Sequence, residues 1–188
     1  MSLAVAVAAD GVRVPLARER VAEIARLVLR AEKVRDAMLS IAFVTPRAIA
    51  ALNFEHLGHA EPTDVISFGF APTAGAEGTV GDVYICPEVA GRNARERGAR
   101  VSEEIARLVV HGTLHVLGYD HPEEGDRTAS DMWQRQERLV ARAMGATKGA
   151  ATKRATTRAT KGATKGATKT RAARGGAGTR KSTPRRRR

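Results

Sequence analysis

Apolar positions recur along the first 144 residues with two periods, and the switches between them mark the elements. Leu3 to Val7 and Val12 to Val14 alternate as strands do and flank Asp10-Gly11, a dipeptide favoured in tight turns, so a strand pair is expected there. Pro15 to about Lys33 changes to the helical period, with Val21, Ile24, Ala25, Val28 and Leu29 on one stripe. Ala37 to Val44 reads as a strand. Thr45-Pro46 then supplies an N-cap and a proline at the first helical position, opening a helix to about Glu55. Asp64 to Phe68 and Val80 to Cys86 are two more strands, separated by a Gly- and Ala-rich loop from Gly69 to Gly78. Pro87 opens a short helix ending near Gly98. Ser102 with Glu103 and Glu104 predicts a capped start to the next one. A last helix is expected over Glu123 to Met144, with Met132, Trp133, Leu139 and Val140 facing the core. Strands interleaved with helices predict one α/β (α+β) domain with a mixed, mostly four-stranded sheet and about five helices.

Within that pattern one segment carries chemistry. His111, His115 and His121 stand in the run H-G-T-L-H-V-L-G-Y-D-H. Histidines four apart share one helix face. Gly118 supplies the residue type that most readily closes a helix in the left-handed conformation, letting the chain turn back and offer His121 as a third ligand. Three neutral nitrogens with an open fourth position make a catalytic zinc site rather than a closed structural one. Nickel, copper or iron would also accept three imidazoles.

The spacing H-x-x-x-H-x-x-G-x-x-H matches the metzincin protease signature at every histidine and at the glycine, but that signature has glutamate directly after its first histidine. Gly112 stands there instead. The general base of peptide hydrolysis is therefore missing, which disfavours a metalloprotease and leaves the ion site intact.

Charge divides the chain. Fifteen of the 32 basic residues lie from Ala146 onward with no acidic residue among them, leaving 17 basic against 20 acidic residues before it, a net of −3. The formal +12 of the whole chain thus belongs to the tail. Residues 1–145 form the expected domain, and 146–188 an Ala/Thr/Lys/Arg-rich tail of A-T-K-G-like tetrads, without an apolar stripe and expected to be disordered. Its cations suit RNA phosphates as an accessory to the domain; it lacks aromatic residues, so base stacking is not among its means. Cys86 is the only cysteine, which fits a reducing compartment and points to the cytoplasm. The apolar run Leu3 to Ala9 is too short to span a bilayer, and no membrane association is expected.

Together with L-N-F-E-H-L-G-H-A-E-P-T-D-V-I-S-F from Leu52 to Phe68 and V-G-D-V-Y-I-C-P from Val80 to Pro87, the histidine run resembles the YbeY family of bacterial endoribonucleases and rRNA maturation factors, over about residues 3 to 144. The resemblance implies one zinc ion held by His111, His115 and His121. It also implies single-strand-specific cleavage in ribosomal RNA processing, notably 3′-end maturation of small-subunit rRNA, and ribosome quality control, with rRNA, the ribosome and ribosomal proteins as partners. A metal-stabilised ribosome assembly factor with little nuclease activity is the alternative. One departure stands out: where family members often carry an arginine after the Leu-Asn tract, this chain has His56-Leu57, so the arginine's role does not transfer to Leu57. His59, two residues on, reads as an exposed loop histidine. Thr63, Asp64 and Ser67 suit either the rim of a metal cleft or turn chemistry. Gly81-Asp82 reads as structural. Asp120 is expected to orient a metal-bound imidazole rather than act as a base, and Glu123, Glu124 and Asp126 to decorate a helix start. No general base is named.

Overall fold

The stripe read from residues 15–33 folds as α1 (Arg18–Ala31) and buries Val21, Ile24, Ala25, Val28 and Leu29, as its period requires. The computed structural model of the chain describes residues 2–70, 78–121 and 127–159, with side chains described as far as Gly145. Around α1 the elements run β1 (Leu3–Ala9), β2 (Ala37–Phe43), α2 (Pro46–Leu57), β3 (Val65–Phe70), β4 (Thr79–Ile85), α3 (Pro87–Glu96), α4 (Val101–Val116), a 3-10 turn at Arg127–Ala129 and α5 (Asp131–Ala159). The four strands form one mixed sheet in the order β1-β2-β4-β3, parallel across β1, β2 and β4, with β3 antiparallel to β4. This is the single-domain α/β architecture expected.

The main core lies where α1, α4 and α5 cover one sheet face. Leu39, Ile41 and Phe43 of β2 and Val83 and Ile85 of β4 meet Ile24, Val28, Ile105, Val109 and Leu114. Two close approaches seat α4 on the sheet. A Cβ at Gly81 would lie 2.4 Å from Val116 Cγ1, and one at Gly112 2.5 Å from Val83 Cγ1, so each partner's valine fills the space the other's glycine leaves. These contacts fix the height and rotation of the helix that carries His111 and His115. A smaller cluster of Ile49, Ile66, Cys86 and Val89 covers part of the second face under α2, and Met38 of β2 stays exposed there.

Several local expectations need correction. Val12 to Val14 do not pair with β1: β1 finds a parallel partner in β2, from Leu3↔Ala37 to Ala9↔Phe43, and Val12 and Val14 pack against the core instead. Ser102 does not cap α4. The N-cap is Arg100, without a side-chain cap bond, and Glu104 is buried between Arg97 and Arg107. Thr45 caps α2 as expected, its Oγ1 accepting from the Ala48 N–H at 3.3 Å. The last helix begins at Asp131, eight residues beyond Glu123, and its backbone runs on to Ala159. Of its expected core contacts Met132, Leu139 and Val140 are buried and Trp133 is half-buried. Glu123, Glu124 and Asp126 lie outside the described residues, as does most of the tail.

Candidate metal centre

The helical period places His111 and His115 one turn apart on α4, facing β3, and the end of α4 delivers the third histidine. The Gly118 N–H donates to the His115 carbonyl at 2.9 Å and the Tyr119 N–H to the Leu114 carbonyl at 3.1 Å, with Gly118 at φ 85°. This paired closure needs a left-handed residue at its centre, and glycine takes that conformation without a Cβ clash. The chain beyond it folds back, and the Tyr119 hydroxyl donates to Glu32 at 2.7 Å, with the Arg135 guanidinium 5.0 Å above the Tyr119 ring and itself donating to Glu32. The turn that ends in His121 is thereby tied to α1 and α5.

The three rings converge, with centroids 4.5 Å apart for His111 and His115, 5.4 Å for His111 and His121, and 5.1 Å for His115 and His121. One ligand nitrogen from each falls within 4.8 Å of the others, and the Nε2 atoms of His111 and His115 are 3.1 Å apart. A tetrahedral zinc with bonds of ~2.0–2.1 Å requires ligand nitrogens roughly 3.3 Å apart, so this donor set fits such an ion with small adjustments.

A second layer orients these donors. The His111 Nδ1 lies 2.8 Å from Oε1 of Gln136, which is buried on α5. The Gln136 Nε2 donates to Glu137 Oε1 at 3.0 Å, which turns the amide oxygen toward His111 and makes Nδ1 the donor. His111 therefore presents Nε2 with its lone pair to the cluster. Arg107 extends the chain, donating from Nε to Glu137 at 3.0 Å and from Nη1 to Glu104 at 3.0 Å. Burial opposes ionisation of Glu137, but its hydrogen bonds with Arg107 and Gln136 prevail and hold its carboxyl below the usual range. For His115, burial and then the neighbouring His111 and His121 push the pKa down to about 4, so this ring is neutral at pH 7. Neutral imidazole is the ligand form.

Asp120 stands beside the His115 ring, at ion-pair distance and without a hydrogen bond to it. Its Oδ1 is 3.9 Å from His115 Nδ1, beyond hydrogen-bond range, and accepts instead from the His121 backbone N–H at 2.8 Å. The carboxylate stiffens the turn, and Gln136 is the residue that orients an imidazole. Nothing in the sequence near the histidines announces Gln136; the signal is a polar residue on the apolar stripe of α5, between Met132 and Val140.

The cluster opens into a cleft of about 450 Å³ whose walls include Leu57, Thr63, Asp64, Ser67 and Phe68. Thr63, Asp64 and Ser67 thus reach the rim, and Asp64 also serves structure, accepting from Asn93 Nδ2 at 2.9 Å. Leu57, 57% exposed, gives this rim an apolar patch. His56, not His59, approaches it: the His56 ring meets Phe68 edge-on at 4.7 Å. Asp82 borders a shallow depression beside Met38 and Ser40 on the other sheet face, away from the histidines.

Fold and cleft together define a mixed α/β domain with a three-histidine metal-ligand cluster at the end of a helix. Comparison with known proteins extends this. The family model described as Endoribonuclease YbeY matches residues 9–144. The endoribonuclease YbeY of Thermobifida fusca is 40% identical over 136 residues, covering 68% of this chain and 86% of that protein. That of Frankia casuarinae is 38% identical over 138 residues, 68% of each chain. A solution structure of a Thermotoga maritima protein shares the fold, with a TM-score of 0.53, 24% identity and coverage of 77% of this chain and 92% of that one. The chain belongs to the Endoribonuclease YbeY family.

Proposed function

We propose that the protein is a zinc-dependent, single-strand-specific endoribonuclease of ribosomal RNA processing, acting in 3′-end maturation of small-subunit rRNA and in ribosome quality control. The observation that carries this reading is the convergence of His111, His115 and His121 in an open cleft, with Gln136 fixing the His111 tautomer, in a chain of this family. An ion held there supplies Lewis-acid stabilisation of charge at a phosphoryl group. The residues of the chain do the rest: the three imidazoles hold the ion, Gln136 and the turn at Gly118 aim them, and Thr63 and Ser67 offer hydroxyls along the wall. Phe68 and Leu57 give an unpaired base an apolar surface, which a duplex with stacked bases does not present.

Gly112 supports RNA over peptide as substrate. The glutamate that a metzincin carries there has no room beside Val83 in this fold. Its partners in this reading are ribosomal RNA, the ribosome and ribosomal proteins, with the basic tail on RNA phosphates, and its place is the cytoplasm. Among the described residues no helix is long and apolar enough to cross a membrane. The test is cleavage of a small-subunit rRNA precursor by the purified protein, abolished by chelator, restored by zinc and lost together with bound zinc in His115→Ala. Cleavage that survives in His115→Ala rejects the mechanism. A zinc-loaded protein that leaves RNA intact, but melts when the histidine is replaced, is an assembly factor instead.

A further inference from the structure

We propose that a groove at the β1 edge, lined by Leu3, Arg26, Arg30, Lys33, Val34 and Arg35, binds the backbone phosphates of single-stranded RNA outside the metal cleft. The choice of RNA as ligand rests on the nuclease reading; the site itself does not. The groove measures about 420 Å³, four of its six lining residues are cations, and no carboxylate lines it. This convergence runs against the background, because the domain before Ala146 carries a net of −3.

Several cations elsewhere on the domain are ion-paired: Arg92 with Glu88, Arg97 with Glu104, Arg100 with Glu103, and Arg107 with Glu104 and Glu137. Among the described residues no carboxylate forms an ion pair with Arg30, Lys33 or Arg35, although Arg35 acts at longer range on the neighbouring Asp36, whose carboxyl is held low chiefly by the Ser2 N–H. Arg26 is fixed at the groove wall by its Nε bond to the Leu3 carbonyl at 3.2 Å. Cations in the last turn of α1 do complement the helix dipole. That explains Arg30 and Lys33, but not their meeting with Arg26, a turn earlier, and Arg35, beyond the helix.

Lys33 supplies independent evidence. Helices α1, α3 and α4 all end in the same paired closure, with a left-handed residue at its centre: Gly98 at φ 64° after α3, Gly118 at φ 85° after α4, and Lys33 at φ 60° after α1. Lys33 is the one non-glycine residue with positive φ among the described residues. A lysine there sacrifices the conformational advantage of glycine, and a cation delivered into the groove is what the chain gains.

Placement makes the groove useful to the cleft. α4 passes Val83 at Gly112 and Gly81 at Val116, so it runs toward the end of the sheet where β1, β2 and β4 begin. α1 ends at that same edge, since Tyr119 beyond α4 bonds Glu32 and the Thr79 N–H bonds the Asp36 carbonyl. The groove lies at the β1 edge where the parallel strands begin, and the cleft wall Val65–Phe68 lies at the opposite, β3 edge, level with Asp82–Ile85, so an RNA strand reaching both crosses the sheet's three strand spacings and also runs along the strands.

The test is equilibrium binding of a 2′-O-methyl 12-nucleotide oligouridylate to the full chain as a function of salt, which requires no cleavage. Combined Arg30→Gln, Lys33→Gln and Arg35→Gln should lower the slope of log K against log salt by about 2, because each phosphate contact on a single strand contributes about 0.7. The untouched tail contributes equally to both proteins. Lys33→Gly alone should lower the slope by about 0.7 while raising the melting temperature, a pairing that a damaged fold does not give. A triple variant with the wild-type slope overturns the site. Loss of binding to a 12-residue polyglutamate without loss toward RNA assigns the groove to an acidic protein segment and overturns the RNA assignment. Absence of cleavage by the wild-type protein would remove the nuclease reading and leave this slope unaffected.

Discussion

Gln136→Leu is the substitution that probes the layer behind the histidines. It keeps the shape of the side chain and its burial, at 2% exposure, while removing the amide oxygen 2.8 Å from His111 Nδ1. The His111 N–H is then left without that acceptor in a part-buried position, a loss of about 1–3 kcal/mol. Freed from its tautomer and ring orientation, His111 becomes a poorer ligand. Loss of such an outer partner lowers metal affinity about 10–100-fold, which is about 1.4–2.7 kcal/mol and agrees with the hydrogen-bond figure. Competition for zinc between the protein and a chromophoric chelator measures this directly, and urea unfolding of the metal-free protein reports the stability cost separately. Gln136→Glu should not rescue. It would set two carboxylates 3.0 Å apart where the Gln136 amide now donates to Glu137, so one takes up a proton and zinc affinity becomes more pH-dependent. Zinc affinity within twofold of wild type in Gln136→Leu would refute the orienting role.

Two further predictions follow from the same geometry. Gly112→Glu should lose more than about 3 kcal/mol of stability, since its Cβ would sit 2.5 Å from Val83 Cγ1 and its carboxylate would be buried; a variant that folds normally and hydrolyses peptides would contradict the reading of that glycine. In the metal-free protein His115 has its pKa lowered from 6.5 to about 4, so the unfolded chain binds the extra proton first as pH falls. The stability this neutral ring contributes is complete above pH 6.5 and is lost as pH falls through 6.5 toward about 4. His115→Asn should lack that part of the decline in urea titrations, and parallel curves for the two proteins would count against it.

The elements that sequence revealed were those written in local periodicity. Val21, Ile24, Ala25, Val28 and Leu29 point one way on any helix, and Thr45-Pro46 opens α2 through chemistry confined to one turn. The histidine pair is legible for the same reason, and Gly118 marks the turn because left-handed closure selects glycine. Pairing across distance was not legible. Alternation in Leu3 to Ala9 says that a strand forms but not that its partner starts at Ala37, so Asp10-Gly11 suggested a hairpin that the parallel pairing displaces. The Gln136–His111 and Tyr119–Glu32 bonds join residues 25 and 87 positions apart, and no local pattern encodes them. Adjacency in sequence places Asp120 near a ligand, and its carboxylate both accepts from the His121 N–H and stands 3.9 Å from the His115 ring. Ser102 misled: α4 begins one residue before it, and the buried Glu104 is held by arginines rather than by a cap.

The most direct measurement is X-ray absorption at the zinc edge, with elemental analysis, on protein purified without an affinity tag. One zinc per chain with three nitrogen neighbours at about 2.0–2.1 Å, reduced to a trace in His115→Ala, is the predicted result. Protein that carries no metal and cleaves a ribosomal RNA precursor undiminished in chelator would contradict the three-histidine centre.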